Sequence, residues 1–202
     1  MTRIGPAIRA SRRGILKAVA GLGVVLPLIR FVARATEALA QSDPKTARPQ
    51  PNDRLVRAVA GGAWSSALTP AAVLPGGPPV IAYPMDPTTG VVRDGSRLNQ
   101  VLLLHLEAAD LAEETRARAV AGIVAYSAVC THTGCDQWEW EAGAKTIKCP
   151  CHFSTFDVKD AARVLDGPAP RRLPALPLKA TGGVLVVAGA FVGRPGFQQG
   201  GA

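Results

Sequence analysis

The four cysteines of this 202-residue chain all lie between Cys130 and Cys151, a stretch of 22 residues. Two of its three histidines, His132 and His152, fall in the same stretch. Thiolates and imidazoles are the groups that hold zinc ions and iron–sulfur clusters in proteins. Because no cysteine is used elsewhere, the sequence predicts one metal centre, and the fold must bring these residues together.

Two hexapeptides carry these six residues. They are Cys130-Thr131-His132-Thr133-Gly134-Cys135, named here the first ligand loop, and Cys149-Pro150-Cys151-His152-Phe153-Ser154, the second ligand loop. Gly134 and Pro150 favour tight turns. The residues between the loops can form a strand pair, through Trp138-Glu139-Trp140, that returns the second loop to the first. We therefore expect two thiols and two imidazoles to converge on one site.

The remaining two cysteines are candidates for a disulfide. Cys151 is adjacent to His152, so their side chains diverge in an extended or turn backbone. Cys149 and His152 are three residues apart and can converge. This leaves Cys135 and Cys151 free to bridge the two loops, which a protein in an oxidising compartment can do.

The two hexapeptides resemble the C-T-H-x-G-C and C-P-C-H-x-S boxes of the Rieske family, in its disulfide-containing subtype. The resemblance implies one 2Fe–2S cluster, with Cys130 and Cys149 on one iron and His132 and His152 on the other. Downstream, Gly167-Pro168-Ala169-Pro170 matches the family's proline-rich loop, which folds over the cluster; Gly167, Pro168 and Pro170 are its characteristic residues. Elsewhere in the chain the resemblance is one of general character.

Two residues beside the second ligand loop bear on the reduction potential. The resemblance implies that Ser154 donates a hydrogen bond to a bridging sulfide. Phe156 stands where higher-potential members usually have tyrosine, and it cannot donate, which predicts a lowered potential. Thr133 and Phe153 replace the leucine and glycine usual in cytochrome bc complexes. Both residues lie at the tip of the cluster-binding region, where a redox partner would dock. Their departure from the usual residues weakens the assignment of quinol oxidation to this chain.

The predicted ligand set also fixes the charge of the centre. An oxidised 2Fe–2S core with two thiolates and two neutral imidazoles is neutral, whereas four thiolates make it a dianion. An electron is added more easily to the neutral site, so Rieske centres lie at roughly −150 to +300 mV against about −400 mV for plant-type ferredoxins.

Other metal sites explain less of the sequence. Two cysteines and two histidines also suit structural zinc, but zinc leaves the other two cysteines, the serine and the proline loop unexplained. A Rieske oxygenase needs a second, mononuclear iron on two histidines and a carboxylate, and only His105 remains for it. We expect His105 to be a half-buried strand residue.

The rest of the chain predicts an all-β fold, an antiparallel β sandwich with a small cluster-binding subdomain and one short helix. Only residues 107–118 have the acidic start and arginine-bearing end of a helix. Thr181-Gly182-Gly183 predicts a hairpin, and Trp138 and Trp140 are expected to pack on one sheet face. The apolar runs that predict strands are residues 80–83, 101–106, 122–127, 146–148, 176–179 and 184–187.

Composition predicts four segments along the chain. Residues 1–40 are a signal peptide or an uncleaved anchor helix, and residues 41–54 are a polar, proline-punctuated linker. Residues 55–192 form the Rieske domain, and residues 193–202 form a flexible tail.

The N-terminal segment carries most of the positive charge. Residues 1–40 hold seven basic groups and one acidic group, so of the net charge of +8 only +2 belongs to the remainder. We therefore expect no nucleic-acid partner. The run Ser11-Arg12-Arg13-Gly14-Ile15-Leu16-Lys17 resembles a twin-arginine export signal. A short apolar run and Ala38-Leu39-Ala40, a cleavage-like pattern, follow it.

Three readings of this N-terminus remain open: a cleaved export signal, an uncleaved membrane anchor, and a basic start on a cytosolic protein. The apolar run of residues 18–29 is shorter than the ~20 residues that a spanning helix needs. The twin-arginine route, as its resemblance implies, exports folded proteins, which suits a cluster acquired in the cytoplasm. We expect export to the periplasm or to the periplasmic face of the inner membrane.

The sequence thus predicts an electron-transfer subunit of an oxidoreductase complex, not a stand-alone catalyst. One hypothesis is the iron–sulfur subunit of a quinol–cytochrome c reductase, with a cytochrome and quinol as redox partners. The other is the small subunit of an arsenite-oxidase-type enzyme, with a molybdenum subunit as partner, or a free periplasmic carrier. Phe156 and the cleavage-like pattern favour the second.

Overall fold

The computed structural model describes residues 43–197 of the chain. The twin-arginine segment, the apolar run and the cleavage-like pattern all lie outside the described residues. Among residues 43–197, no helix has both the length and the apolar character needed to cross a membrane.

Within residues 43–197 the chain forms ten β-strands, one α-helical turn and four short 3-10 helices. The α-helical turn, α1, is Glu113–Arg116. The strands are β1 (Arg54–Val56), β2 (Val80–Met85), β3 (Val101–His105), β4 (Ile123–Ser127), β5 (Glu139–Glu141), β6 (Thr146–Lys148), β7 (Thr155–Asp157), β8 (Arg163–Asp166), β9 (Leu178–Thr181) and β10 (Val184–Val187).

The strands form two antiparallel sheets. The larger sheet has the order β4-β3-β2-β1-β10-β9, and the smaller has the order β5-β6-β7-β8. In the larger sheet β1 pairs with β10, with Arg54 opposite Val186, so the two ends of the described chain meet. The expected all-β class, the hairpin after β9 and the strand pair through Trp140 are confirmed.

Strands β3 and β4 are buried on both faces. Because side chains alternate across a strand, successive residues of each strand point into two different cores. Leu102 and Leu104 pack in one core with Tyr126 and with residues of the smaller sheet. Leu103 and Ile123 point the other way, into a second core built on β1 and β10. A strand covered on both faces has a continuous apolar sequence, which explains the Val-Leu-Leu-Leu run of β3.

The predicted helix over residues 107–118 is wrong in its extent. The structure has a 3-10 turn at Ala108–Asp110, then extended backbone at Leu111, and only then α1. Leu111 is buried in the first core, and the amide of Ala112 donates to the carbonyl of Lys159 across the domain. The burial of Leu111 and the hydrogen bond from the Ala112 amide to Lys159 therefore interrupt the predicted helix.

Residues 43–53, where the sequence predicts a linker, contact the domain closely. The carboxylate of Asp53 pairs with the guanidinium of Arg93 at 2.7 Å, and both side chains are buried. Gly95 donates its amide hydrogen to the carbonyl of Lys45 at 3.0 Å. The side-chain amide of Asn99 donates to the carbonyl of Ala47 at 2.8 Å.

Candidate metal centre

The two ligand loops lie at the same end of the domain because a hairpin joins them. The first loop follows β4, and the second begins directly after β6. Between them β5 pairs with β6, with Trp140 opposite Ile147, and reverses the chain. Convergence of the two loops, expected from their spacing, is confirmed.

The two loops share one backbone design. In the first, Cys130 donates to the carbonyl of Cys135 at 2.7 Å, and Gly134 donates to the carbonyl of Cys130 at 3.0 Å. In the second, Cys149 donates to the carbonyl of Ser154 at 2.9 Å, and Phe153 donates to the carbonyl of Cys149 at 2.8 Å. The fifth residue of each loop has a positive φ, +84° at Gly134 and +65° at Phe153.

Cys130 and Cys149 are the two free thiols, and each is only 1% exposed. Burial raises the pKa of the Cys130 thiol to about 11; the neighbouring Cys149 adds to the rise, and the backbone N–H groups of His132 and Thr133 oppose it. A bound cation would favour the thiolate form in such an interior position.

The two imidazoles, one from each ligand loop, contact each other. The rings of His132 and His152 lie edge to face, with centroids 4.6 Å apart. His132 is half-buried, and its Nδ1 is fully enclosed with no hydrogen-bond partner among the described residues. His152 is exposed. One ring is thus half-buried, with an enclosed Nδ1, and the other is accessible from outside.

The predicted disulfide between Cys135 and Cys151 is present and links the first ligand loop to the second. The sulfurs of Cys135, Cys149 and Cys151 lie within 4.8 Å of one another, so the disulfide sits beside a free thiol. Two of those three sulfurs are bonded to each other, so among the three only Cys149 keeps a free thiol.

The proline-rich segment packs against the second ligand loop. A Cβ atom on Gly167 would lie 2.5 Å from the Cα of Ser154, and Gly167 has φ +87°, so only glycine fits there. The amide of Ala169 donates to Oγ of Ser154 at 3.0 Å. Pro168 and Pro170 flank this contact and are exposed. Because the Ser154 hydroxyl already accepts a hydrogen bond from Ala169, its own hydrogen is available to another acceptor.

Behind the second ligand loop lies an aromatic pair. Phe156, on β7, is completely buried, and its ring meets that of Trp138 edge to face with centroids 5.7 Å apart. The indole N–H of Trp138 donates to the carbonyl of Ala128 at 2.8 Å, and that of Trp140 donates to the carbonyl of Gly76 at 3.1 Å. Both tryptophans pack against the first core, as predicted.

His105, Arg171 and Arg172 lie outside the group of thiols and imidazoles. His105 is half-buried at the end of β3, where its Nδ1 lies 2.9 Å from the carbonyl of Val73, as expected for a strand residue. Arg172 forms an exposed ion pair with Glu114 at 3.1 Å. Arg171 donates to the carbonyl of Gly196 at 2.5 Å.

Sequence reasoning missed the groups that hold the first ligand loop. The hydroxyl of Thr131 donates to the carbonyl of Arg171 at 2.6 Å. The guanidinium of Arg97 donates to the carbonyl of Gly134. The ring of Phe197 packs on Gly134. These contacts join distant parts of the chain, and no local pattern marks them.

The donor set suits an iron–sulfur cluster with mixed ligands. Two buried free thiols, a buried imidazole nitrogen without a partner and a second imidazole lie together at the junction of two closely linked loops. An enclosed nitrogen that accepts no hydrogen bond is costly unless a metal or proton donor meets it.

Comparison with known proteins agrees with this geometry. Residues 110–177 match the family described as the Rieske [2Fe-2S] domain. A Streptomyces lividans cytochrome bc1 complex Rieske iron-sulfur subunit is 54% identical over 55 residues, which is 27% of this chain and 32% of that protein. A Haloferax mediterranei protein, provisionally named as a respiratory nitrate reductase subunit Rieske, is 49% identical over 78 residues, or 38% of this chain and 34% of that protein.

Among solved structures, that titled "Hyperthermophilic respiratory Complex III" has 23% identity and a TM-score of 0.38, covering 85% of this chain and 95% of that one. The chain therefore contains a region that matches the Rieske [2Fe–2S] domain, and a disulfide joins the two ligand loops of that region. Its cofactor is one [2Fe–2S] cluster. The matched region spans about a third of the length of the two curated relatives named above.

Proposed function

We propose that this protein is the Rieske electron-transfer subunit of a respiratory oxidoreductase complex, with its cluster held by Cys130, His132, Cys149 and His152. The observation that carries the proposal is the enclosed, unpartnered Nδ1 of His132 beside two buried free thiols. A buried polar group that has no hydrogen-bond partner destabilises the folded protein by about 1–3 kcal/mol. A metal ligand at this nitrogen accounts for the arrangement.

Each of the surrounding residues has a definite task in this proposal. When bound, the cluster supplies a one-electron couple. Cys130 and Cys149 hold it from the buried side, and their burial excludes water. His152 lies at the surface, so it would hold the cluster on the side that a redox partner can approach. The hydroxyl of Ser154 accepts from the amide of Ala169, and it would keep its own hydrogen free to donate to the cluster.

The complex that fits best is a quinol–cytochrome c reductase, in which quinol and a cytochrome are the redox partners. Relatives of this chain named as cytochrome bc1 complex subunits support that choice. The exposed His152 supports it as well, because an imidazole with an accessible N–H can exchange a proton with a donor that releases both a proton and an electron.

A second candidate is an electron relay for an arsenite-oxidase-type molybdenum enzyme, or a free periplasmic carrier. Phe156 favours it, because a buried ring without a hydrogen-bond donor predicts a lower potential than quinol oxidation normally uses. A relative named as a nitrate reductase subunit also indicates that such domains occur outside cytochrome bc complexes.

The proposal includes export through the twin-arginine route, with the domain in the periplasm or on the periplasmic face of the inner membrane. The disulfide supports export, because such bonds persist in oxidising compartments. Mass spectrometry of the native N-terminus tests this part. A chain starting at Gln41 supports a cleaved signal, and an intact N-terminus in the membrane fraction supports an anchor. A full-length chain in the soluble cytoplasm contradicts export.

The cluster assignment is tested on the purified full chain by iron and sulfide analysis and by EPR of the reduced protein. We expect two irons per chain in the wild type and none in Cys149→Ser, which removes a ligand. The matched control is the double variant Cys135→Ser/Cys151→Ser, which removes only the disulfide and keeps the same four ligands. Zinc without iron in the wild type would contradict the proposal.

The partner is tested by isolating the complex from membranes in mild detergent and analysing its cofactors. Haem of b and c types in the purified complex supports the reductase. Molybdenum in place of haem supports the relay, and a chain that purifies alone supports the free carrier.

A further inference from the structure

The back of the first ligand loop is covered by the end of the described chain. The loop is closed on its own backbone, and its turn residue Gly134 has φ +84° and no side chain. A Cβ atom on Gly134 would lie 2.7 Å from Cδ1 and 3.0 Å from Cε1 of Phe197. The phenyl ring therefore lies directly on the Gly134 backbone, on a surface that only glycine leaves open.

We propose that residues 194–197, named here the C-terminal strap, fix the first ligand loop, and that Phe197 is a positioning residue for Cys130 and His132. This inference rests on the proposed ligand set but concerns different residues. It assigns a role to a segment for which composition predicted only a flexible tail.

The strap is anchored where it leaves the domain. Val192 and Ala175 exchange two backbone hydrogen bonds, at 2.7 and 3.1 Å, which fix the chain just before the strap. Pro195 and Gly196 are buried. A Cβ atom on Gly196 would lie 2.8 Å from Cδ2 of Leu98, so the strap packs tightly on the 3-10 helix Arg97–Asn99.

Two arginines connect the strap to the ligand loop. Arg171 donates from its guanidinium to the carbonyl of Gly196 at 2.5 Å, and its own carbonyl accepts a hydrogen bond from Thr131 at 2.6 Å. Arg97 donates to the carbonyl of Gly134 and lies 3.8 Å from the carboxylate of Asp136. Strap, 3-10 helix and ligand loop thus form one connected group.

The two ligand loops are supported in parallel ways. The second loop is backed by the proline-rich segment, where Gly167 allows close approach to Ser154. The first loop is backed by the strap, where Gly134 allows close approach to Phe197. In each case a glycine with positive φ allows the ligand loop and its supporting segment to approach closely. Removing Phe197 should loosen the first loop and leave the second unchanged.

The test is hydrogen–deuterium exchange of the cluster-loaded full chain, comparing wild type with Phe197→Ala. We expect exchange in residues 130–135 to become about tenfold faster, as local opening becomes easier. Residues 149–154 should be unaffected, and the EPR lines of the reduced cluster should broaden because His132 and Cys130 are held less uniformly. Phe197→Leu, which keeps an apolar side chain, should restore most of the protection.

The matched control is Phe191→Ala, since Phe191 belongs to the same terminal region but packs against the second core. It should change neither ligand loop. The inference is overturned if residues 130–135 exchange at the wild-type rate in Phe197→Ala, or if both ligand loops and β6 accelerate equally. The proposed function fails separately, if the wild type contains no iron. In that case exchange still reports on the strap, because the contact between Phe197 and Gly134 involves no ligand.

Discussion

The rings of His132 and His152 meet edge to face, with an interplanar angle of 89°, although they belong to different loops. Their relation therefore depends on how firmly the two loops are joined. The hairpin β5–β6 joins them at one side, and the bond between Cys135 and Cys151 joins them at the other. The covalent link is the part that a mutation can remove without touching a proposed ligand.

Removing the disulfide in the variant Cys135→Ser/Cys151→Ser should lower the free energy of unfolding by about 3 kcal/mol, since the closed loop is of the length for which chain entropy predicts that value. The sequence separation of the two cysteines is 16 residues. Denaturant titration of oxidised protein measures the loss. Wild-type protein in a strong reductant should match the variant, and a loss below about 1 kcal/mol would contradict the role of the bond.

Phe153 should be a source of backbone strain. It is 62% exposed and has φ +65°, in the loop position that Gly134 fills in the first ligand loop. The ring gains little from burial, and its main neighbour is the ammonium of Lys148, 5.1 Å from the ring centroid. We expect Phe153→Gly to be more stable than Phe153→Ala by about 1 kcal/mol, because both lose the ring but only glycine loses the strain. Paired thermal denaturation curves measure this difference. Equal stabilities would show that the backbone conformation at Phe153 is not strained.

Phe156→Tyr should raise the midpoint potential of the cluster. The tyrosine hydroxyl adds a hydrogen-bond donor near the cluster, which gains negative charge when it is reduced. Phe156 is completely buried against Trp138, so the control must separate packing from hydrogen bonding. Phe156→Leu alters the packing without adding a donor and should not raise the potential. A redox titration in which the tyrosine variant shows no shift, or a fall, would refute the prediction.

The convergence of the two ligand loops and their disulfide could be predicted from sequence because the information is local. The spacing of Cys149 and His152, and the adjacency of Cys151 to His152, restrict which side chains can converge. Six of the ten strands are predicted because their apolar runs end at turn residues, and β5 is predicted by the strand pair through Trp138-Glu139-Trp140. β1, β7 and β8 are not predicted, and their pairings become evident only in the folded sheets.

The supports of the site could not be predicted, because they are long-range contacts between ordinary residues. Phe197 and Gly134 are far apart in sequence, as are Thr131 and Arg171, and neither pair has a local signature. The helix that the sequence predicts over residues 107–118 is too long for a related reason. Its charge pattern is helical, but burial of Leu111 in the core prevails over it.

Glu114 should make a small, pH-dependent contribution to stability. Hydrogen bonds from Arg118 and then from Arg172 lower the pKa of its carboxyl below the ordinary 4.5. A lowered folded-state pKa means that the stabilisation is present above the ordinary value and is lost as the pH falls through the lowered one. The carboxylate is 45% exposed, so Glu114→Gln should cost less than about 1 kcal/mol at neutral pH. Melting curves of both proteins should converge at acidic pH. A constant difference at every pH would contradict the assignment.

The buried pair of Asp53 and Arg93 should contribute far more. Their side chains are 2% and 9% exposed, and the guanidinium donates to both carboxylate oxygens, at 2.7 and 3.0 Å. Asp53→Asn removes the direct partner of the buried guanidinium and leaves it only the carboxylate of Asp86, 3.9 Å away and 29% exposed, which should cost about 3–5 kcal/mol.

A neighbouring ion pair provides the matched control for Asp53→Asn. Asp94 pairs with Lys45 at 3.5 Å, and the two side chains are 28% and 56% exposed. Asp94→Asn should therefore cost less than about 1 kcal/mol. Urea titrations of the two variants measure the contrast. Limited proteolysis should cut residues 43–53 faster in Asp53→Asn only, because that pair holds this segment against the domain. If the two variants lose the same stability, the buried pair is not what fixes the segment.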